Sequence, residues 1–281
     1  MTEKRIAIDN AIYHTDYHLP PQSSKCPSPS SAPLIVLIHA LMANNHMYDS
    51  TVQSLLSHSY RVLRYDHIGH GQSPAPLSIH SLSFDDMTHH LHRLISNFTS
   101  TPPHALIGCS MGGVLAVRYA MLYPPPSYVM ALGVPGFTAL EEAKPLWSER
   151  IDVLKNDVQN GTSELATKTA ERWLPGSEER SVVARQKALE MTRTCSLEGY
   201  VVCADAIRAY DYRPFLKDVK TRVMVLIGER DGAVGSHEAL REDTARIPGS
   251  KFVLMQGAGH LPPLHWGKEF EKIMLRFLEA Q

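Results

Sequence analysis

One eight-residue stretch constrains this chain more than any other: Leu106-Ile107-Gly108-Cys109-Ser110-Met111-Gly112-Gly113. An apolar run leads into it and a helical pattern leaves it, which makes it a G-x-S-x-G turn between a strand and a helix. A serine at so tight a turn takes strained backbone angles, so its neighbours must be small. Gly108, Gly112 and Gly113 meet that need. The helix N-terminus then aims free N–H groups and a positive dipole end at whatever reacts at Ser110. A chance glycine-rich turn with a capping serine would need neither the strand before it nor the helix after it.

The surrounding pattern gives this turn a sheet to sit on. Leu34-Ile35-Val36-Leu37-Ile38 is a continuous apolar run, as expected of a strand buried on both faces of a parallel sheet. Strands are also predicted over 6–13, 60–65, 104–109, 128–134, 221–228 and 251–255. Helices are predicted over 83–97, 111–122 and 236–247, with a last one marked by Phe270, Ile273, Met274, Phe277 and Leu278. Alternation of this kind implies an α/β fold: a mostly parallel sheet covered by helices on both faces. The Pro/Ser-rich residues 20–33 cannot hold regular structure and read as a surface loop. Residues 137–215 break the rhythm, with helical stretches over 146–158 and 178–192 and little strand signal. This reads as a helical cap inserted over the C-terminal edge of the sheet, where open α/β sheets keep their sites. The core is then 1–136 and 216–281.

A serine hydroxyl is a poor nucleophile until a base takes its proton. A strand–turn–helix elbow predicts the chain order serine, acid, histidine. The run Val223 to Gly228 ends in Glu229-Arg230-Asp231, and Asp231 in the turn is favoured over Glu229, which lies close to the strand. The last strand runs into Gly257-Ala258-Gly259-His260, which puts His260 forward as the base, with Asp231 fixing its tautomer. Developing negative charge needs two N–H donors. Met111 supplies one, and the loop His39-Ala40-Leu41-Met42 the other, from Leu41 or alternatively Ala40. His39 reads as a residue that orients this loop.

The elbow, the GERD turn, the AGHLP segment and Asp66-His67-Ile68-Gly69-His70-Gly71-Gln72-Ser73, similar to a D-x-x-G-H-G-x-S loop, together resemble the α/β-hydrolase superfamily. The resemblance implies the α/β-hydrolase fold and hydrolytic chemistry over nearly the whole chain. Glu171-Arg172-Trp173-Leu174-Pro175-Gly176, Ser196-Leu197-Glu198-Gly199-Tyr200 and Cys203 to Arg208 are similar to 3-oxoadipate enol-lactonases, as is HALMANNHMYD. That closer likeness implies that Arg172 and Trp173 face the substrate. The residues alone equally allow Trp173 to pack the cap and Arg172 to pair with Glu171 or Glu178. The chain departs from the pattern at His39-Ala40, Cys109, Gly235 and Gly267. None of these removes a catalytic group, but they leave substrate identity open.

Composition narrows the class. A net charge of −1 gives no field to draw in nucleic acid or an anionic membrane. No apolar run reaches the ~18 residues of a membrane span, and no secretory or retention signal is legible, so the expected location is the cytoplasm. Cys26, Cys109, Cys195 and Cys203 form no C-x-x-C pair and suggest no disulfide framework or zinc site. His89, His90 and His92 look like a metal tract, but on a helix they fall between the apolar positions, on or beside the solvated face. The expected enzyme is a cofactor-free, metal-free serine hydrolase acting on a lactone or small carboxylic ester as its small-molecule substrate. An acyltransferase or thioesterase/cyclase with the same triad, or a ligand receptor with little turnover, remain alternatives. No pattern along the chain sets an oligomeric state.

Overall fold

The computed structural model describes residues 1–24, 26–76 and 78–280. Eight strands form one sheet: β1 (Thr2–Ile8), β2 (Ala11–His18), β3 (Leu34–Ile38), β4 (Arg61–Tyr65), β5 (Ala105–Cys109), β6 (Tyr128–Leu132), β7 (Arg222–Gly228) and β8 (Lys251–Met255). Their order is β1-β2-β4-β3-β5-β6-β7-β8. Pairing is antiparallel from β1 through β2 to β4, and parallel from β4 onward. All five residues of β3, β5 and β6 are buried. Each large apolar side chain so removed from water stabilises the fold by about 1.5–3 kcal/mol.

The helices are α1 (Asp49–Ser57), α2 (Phe84–Ser96), α3 (Met111–Leu122), α4 (Lys144–Asn160), α5 (Glu164–Trp173), α6 (Glu179–Thr192), α7 (Leu197–Ile207), α8 (His237–Ala245), α9 (Pro262–His265) and α10 (Gly267–Leu278). α2 starts at a capping box, with Ser83 and Asp86 each serving the other's backbone N–H. Four helices, α4 to α7, fill the chain between β6 and β7. Backbone contact holds them to the rest: a Cβ on Gly199 of α7 would meet Gly69 Cα at 2.6 Å, and Ser196 N–H donates to Gly69 O at 2.8 Å. None of the described helices is long and apolar enough to cross a membrane.

Several expectations are corrected. The first predicted strand is a hairpin, folded back at Asp9 with a φ of 51°. Residues 20–33 include a short 3-10 turn, Pro29–Ser31, and a bridge between Ser23 and Cys26. α1, α5 and α7 were not legible as helices. α7 is apolar on nearly every side, so it shows no stripe to read. His90 is buried, not solvated, and hydrogen-bonds Tyr13 Oη at 2.7 Å through Nδ1. Among the described residues no group of three or more His, Cys, Asp or Glu is placed to hold a metal ion.

Candidate active site

Ser110 sits between β5 and α3 with φ 54° and ψ −118°, a left-handed conformation for a residue that has a Cβ. Such strain costs about 1–3 kcal/mol and persists only where the surroundings impose it. They do so through hydrogen bonds and crowding. Ser110 N–H donates to Leu132 O at 2.7 Å, and Ser110 O accepts from Gly113 N–H at 3.0 Å. A Cβ on Gly108 would stand 2.0 Å from Gly112 O, and one on Gly112 would stand 2.4 Å from Ile38 O. The glycines are therefore required by close backbone packing, as the motif implied.

Asp231 lies in the turn after β7 and His260 in the loop after β8. Both are buried. His260 Nδ1 donates to Asp231 Oδ2 at 2.8 Å, and Asp231 Oδ1 accepts from Ala233 N–H at 2.8 Å. A carboxylate accepting at Nδ1 puts the ring proton there and leaves Nε2 basic. Glu229, the competing acid, turns elsewhere: its Oε2 accepts from Gly257 N–H at 2.9 Å.

The loop after β3 is held by three buried histidines, and the partners of His39 and His70 specify neutral rings. His39 Nδ1 donates to Ala40 O at 2.8 Å, and its Nε2 accepts from His67 N–H at 2.8 Å. His67 Nε2 donates to His39 O at 3.1 Å. His70 Nδ1 donates to Ile68 O at 2.9 Å, and its Nε2 accepts from Met42 N–H at 3.0 Å. Burial pushes His67 down to about 3 and His70 to about 4, and holds His39 well below the ordinary imidazole range. Met42 itself has a φ of 66°. Its N–H being engaged, the Leu41 N–H beside it is left without a partner inside the chain among the described residues, and so is the Met111 N–H. Leu41 lines the cavity that contains Ser110, whereas Ala40 does not. The residues of the Asp66 loop are architectural: Asp66 accepts from Asn45 and Gln72 N–H, and Ser73 Oγ donates to Asp66 O.

Ser110 and His260 line one narrow cavity of about 50 Å3, together with Arg172 and Trp173 of the α5 terminus. Trp173 does two things the sequence left as alternatives. Its ring lies along the His260 imidazole at 5.5 Å, and its carbonyl accepts His260 N–H at 2.7 Å. It is thus packed and cavity-lining at once. Arg172 does not pair with Glu171 or Glu178; Glu178 is taken by Arg230 at 2.7 Å. Sequence reasoning missed Trp147, Arg150, Tyr200 and Ile207, which share the cavity. An arginine on the stripe Trp147, Arg150, Ile151, Leu154 of α4 was the available signal. A larger groove of about 570 Å3, lined by Asn44, His46, Lys187 and Glu190 among others, does not include Ser110.

A family model described as alpha/beta hydrolase fold matches residues 33–265. 3-oxoadipate enol-lactonase 2 of Acinetobacter baylyi is 26% identical over 200 residues, spanning 71% of this chain and 72% of its own. A pimeloyl acyl-carrier-protein methyl ester esterase of Yersinia pseudotuberculosis is 26% identical over 87% of this chain and 93% of its own. Among solved structures, the enol-lactonase from Burkholderia xenovorans LB400 superposes with a TM-score of 0.83 at 25% identity, covering 98% of this chain and 99% of its own.

Proposed function

The chain belongs to the alpha/beta hydrolase fold family, and from that premise we propose that it is a serine hydrolase cleaving a lactone or small carboxylic ester through an acyl-enzyme. The observation that carries this reading is the hydrogen-bonded pair His260–Asp231 opening, with the strained Ser110, onto one cavity.

In this mechanism His260 Nε2 takes the proton as Ser110 Oγ attacks the acyl carbon. The carbonyl π bond opens to an oxyanion, which the Met111 and Leu41 N–H groups receive. Asp231 stabilises the imidazolium. As the tetrahedral centre collapses, the ester or lactone C–O bond breaks and the leaving oxygen takes the proton from His260. A water, deprotonated by His260, then releases the acid and restores Ser110. Residues 137–215 serve as a cap, with Arg172 and Trp173 facing the substrate. Relatives named as lactonase and esterase support the acyl substrate.

The test is covalent labelling. A fluorophosphonate should add to Ser110, seen by mass spectrometry of the peptide, and should add nothing to Ser110→Ala. A folded wild-type protein that takes no label would sink the proposal.

A further inference from the structure

His265 takes no part in the proposed chemistry, yet it is buried with both ring nitrogens in use. Its Nδ1 accepts from Gly259 N–H at 3.0 Å, and its Nε2 meets Ser181 Oγ at 2.9 Å. The Ser181 hydroxyl has one proton, which it gives to Glu178 Oε2 at 3.2 Å. It must therefore accept from His265, so the ring is the neutral Nε2–H tautomer. Glu178 in turn accepts from Arg230 at 2.7 Å. The chain of bonds runs from the residue before His260, through the start of α6, to the residue before Asp231.

A second contact lies beside it. Arg180 of α6 lies over the Trp266 ring at 3.8 Å, and Trp266 Nε1 donates to Gly257 O at 3.2 Å. The neighbours Arg180 and Ser181 so reach the neighbours His265 and Trp266, and each of these bonds the loop that ends in His260. The loop needs such holds, because Gly257, Ala258 and Gly259 have no side chain long enough to anchor it. Gly259 also lies against α5: a Cβ there would stand 2.2 Å from Trp173 O.

We propose that His265 is a positioning residue: its neutral ring clasps the proposed cap to the loop carrying His260, and a proton at Nδ1 opens the clasp. The inference rests on the serine hydrolase reading for what His260 does there. A doubly protonated ring has no lone pair at Nδ1, so Nδ1–H would face Gly259 N–H donor to donor. The surroundings disfavour that state. Burial, then Arg180, holds His265 below the ordinary imidazole range, with Arg230 adding to the effect and Glu178 opposing it. Glu269 of α10 stands 4.0 Å from Arg180, and Glu229 is bonded to Gly257 N–H. His46 and Asp49 line a separate groove with Pro263 and Leu264. The clasp is therefore whole at neutral pH and opens in acid. His265 lines a groove of about 540 Å3 that gives the proton a route.

Two measurements test the clasp. The first needs neither turnover nor a variant. Nitrogen NMR of isotope-labelled wild type should show a coupling across the Gly259 N–H to Nδ1 bond. The ring should be neutral at pH 7 and stay so below about pH 6.5, where a free imidazole is half charged. The second is the rate at which a fluorophosphonate labels Ser110, which reads how well His260 is aimed. His265→Gln carries its amide where Nε2 stood, so it keeps Ser181 and abandons Gly259. Labelling should slow about 10- to 100-fold, the cost of misplacing a catalytic group by about 1 Å. His265→Asn puts an oxygen where Nδ1 stood, and should label within about threefold of wild type, having lost only the bond to Ser181. A role in packing alone predicts the opposite order, because asparagine leaves the larger gap. The ratio of the asparagine variant's rate to that of wild type should also rise as pH falls, since an amide takes no proton. A ring already charged at neutral pH, faster labelling of His265→Gln than of His265→Asn, or a ratio that does not move with pH each overturns the clasp. The coupling and neutral ring without any labelling of wild type overturn the hydrolase reading and keep the clasp.

Discussion

The two walls of the cavity follow opposite rules. On the sheet side the side chains that hold the loop after β3 and the His260 ring are paired, and the free groups are the Leu41 and Met111 N–H. His39, His67 and His70 satisfy one another's loops, Asp231 serves His260, and backbone glycines pack at contact distance. On the helical side, α4 and α5 bring Arg150 and Arg172 to the same space with no counter-charge. The difference separates tasks. The paired wall holds reactive groups in one geometry. The helical wall leaves two arginines without an ion-pair partner among the described residues. Trp173 joins the two, since its carbonyl accepts His260 N–H while its ring lines the space that the arginines face.

This contrast predicts unequal consequences for similar substitutions. The largest effect is expected from Arg64, 5% exposed and paired with Asp16. Arg64→Met leaves the buried Asp16 carboxylate with only its His14 hydrogen bond and should cost about 3–5 kcal/mol in urea denaturation. Arg150→Met removes an uncompensated cation and should leave stability unchanged or raise it. Equal losses at both positions would erase the distinction between the walls.

Acid should act next, and on the sheet side. His67 and His70 are held near 3 and 4 in the folded state, against about 6.5 in an unfolded chain. Above about pH 6.5 both states are neutral and stability is flat with respect to these groups. Below it the unfolded chain takes up protons that the fold refuses, so stability falls as pH drops toward 4. Each group contributes about 1.4 kcal/mol per pH unit across that window. Urea midpoints measured from pH 7 to 4.5 should show this slope, and His70→Gln should flatten part of it. An unchanged slope in that variant would mean that His70 does not hold the loop through a neutral ring.

The smallest effect is expected at Gly235, in the segment that follows Asp231. A Cβ there meets nothing within 4 Å, and its φ lies outside the left-handed region. Gly235→Ala should stabilise by about 0.4–1 kcal/mol, by restricting the unfolded chain. A loss in thermal melting larger than that would show that this segment needs glycine after all.

How much could be read in advance differed by residue. Ser110 was legible because its glycines, strand and helix are neighbours in the chain. Asp231 and His260 were legible because each follows a buried apolar run, and strand ends in a parallel sheet converge on one edge. Leu41 and Ala40 were left as alternatives, and of the two only Leu41 lines the cavity that contains Ser110. Arg150 was not legible, since a charged residue on a partly apolar helix looks like a solvated one until its surroundings are known.

The sequence by itself therefore determined the alternating α/β architecture and the three residues in order at strand ends, because periodicity and glycine spacing are local properties of the chain. Only the tertiary structure decided which cations sit half-buried without an ion-pair partner. That depends on how α4 and α5 settle over the sheet, through contacts such as Gly69 against Gly199 that lie far apart in sequence. Burial of a charge is a property of its surroundings, and no pattern of neighbours along the chain encodes it.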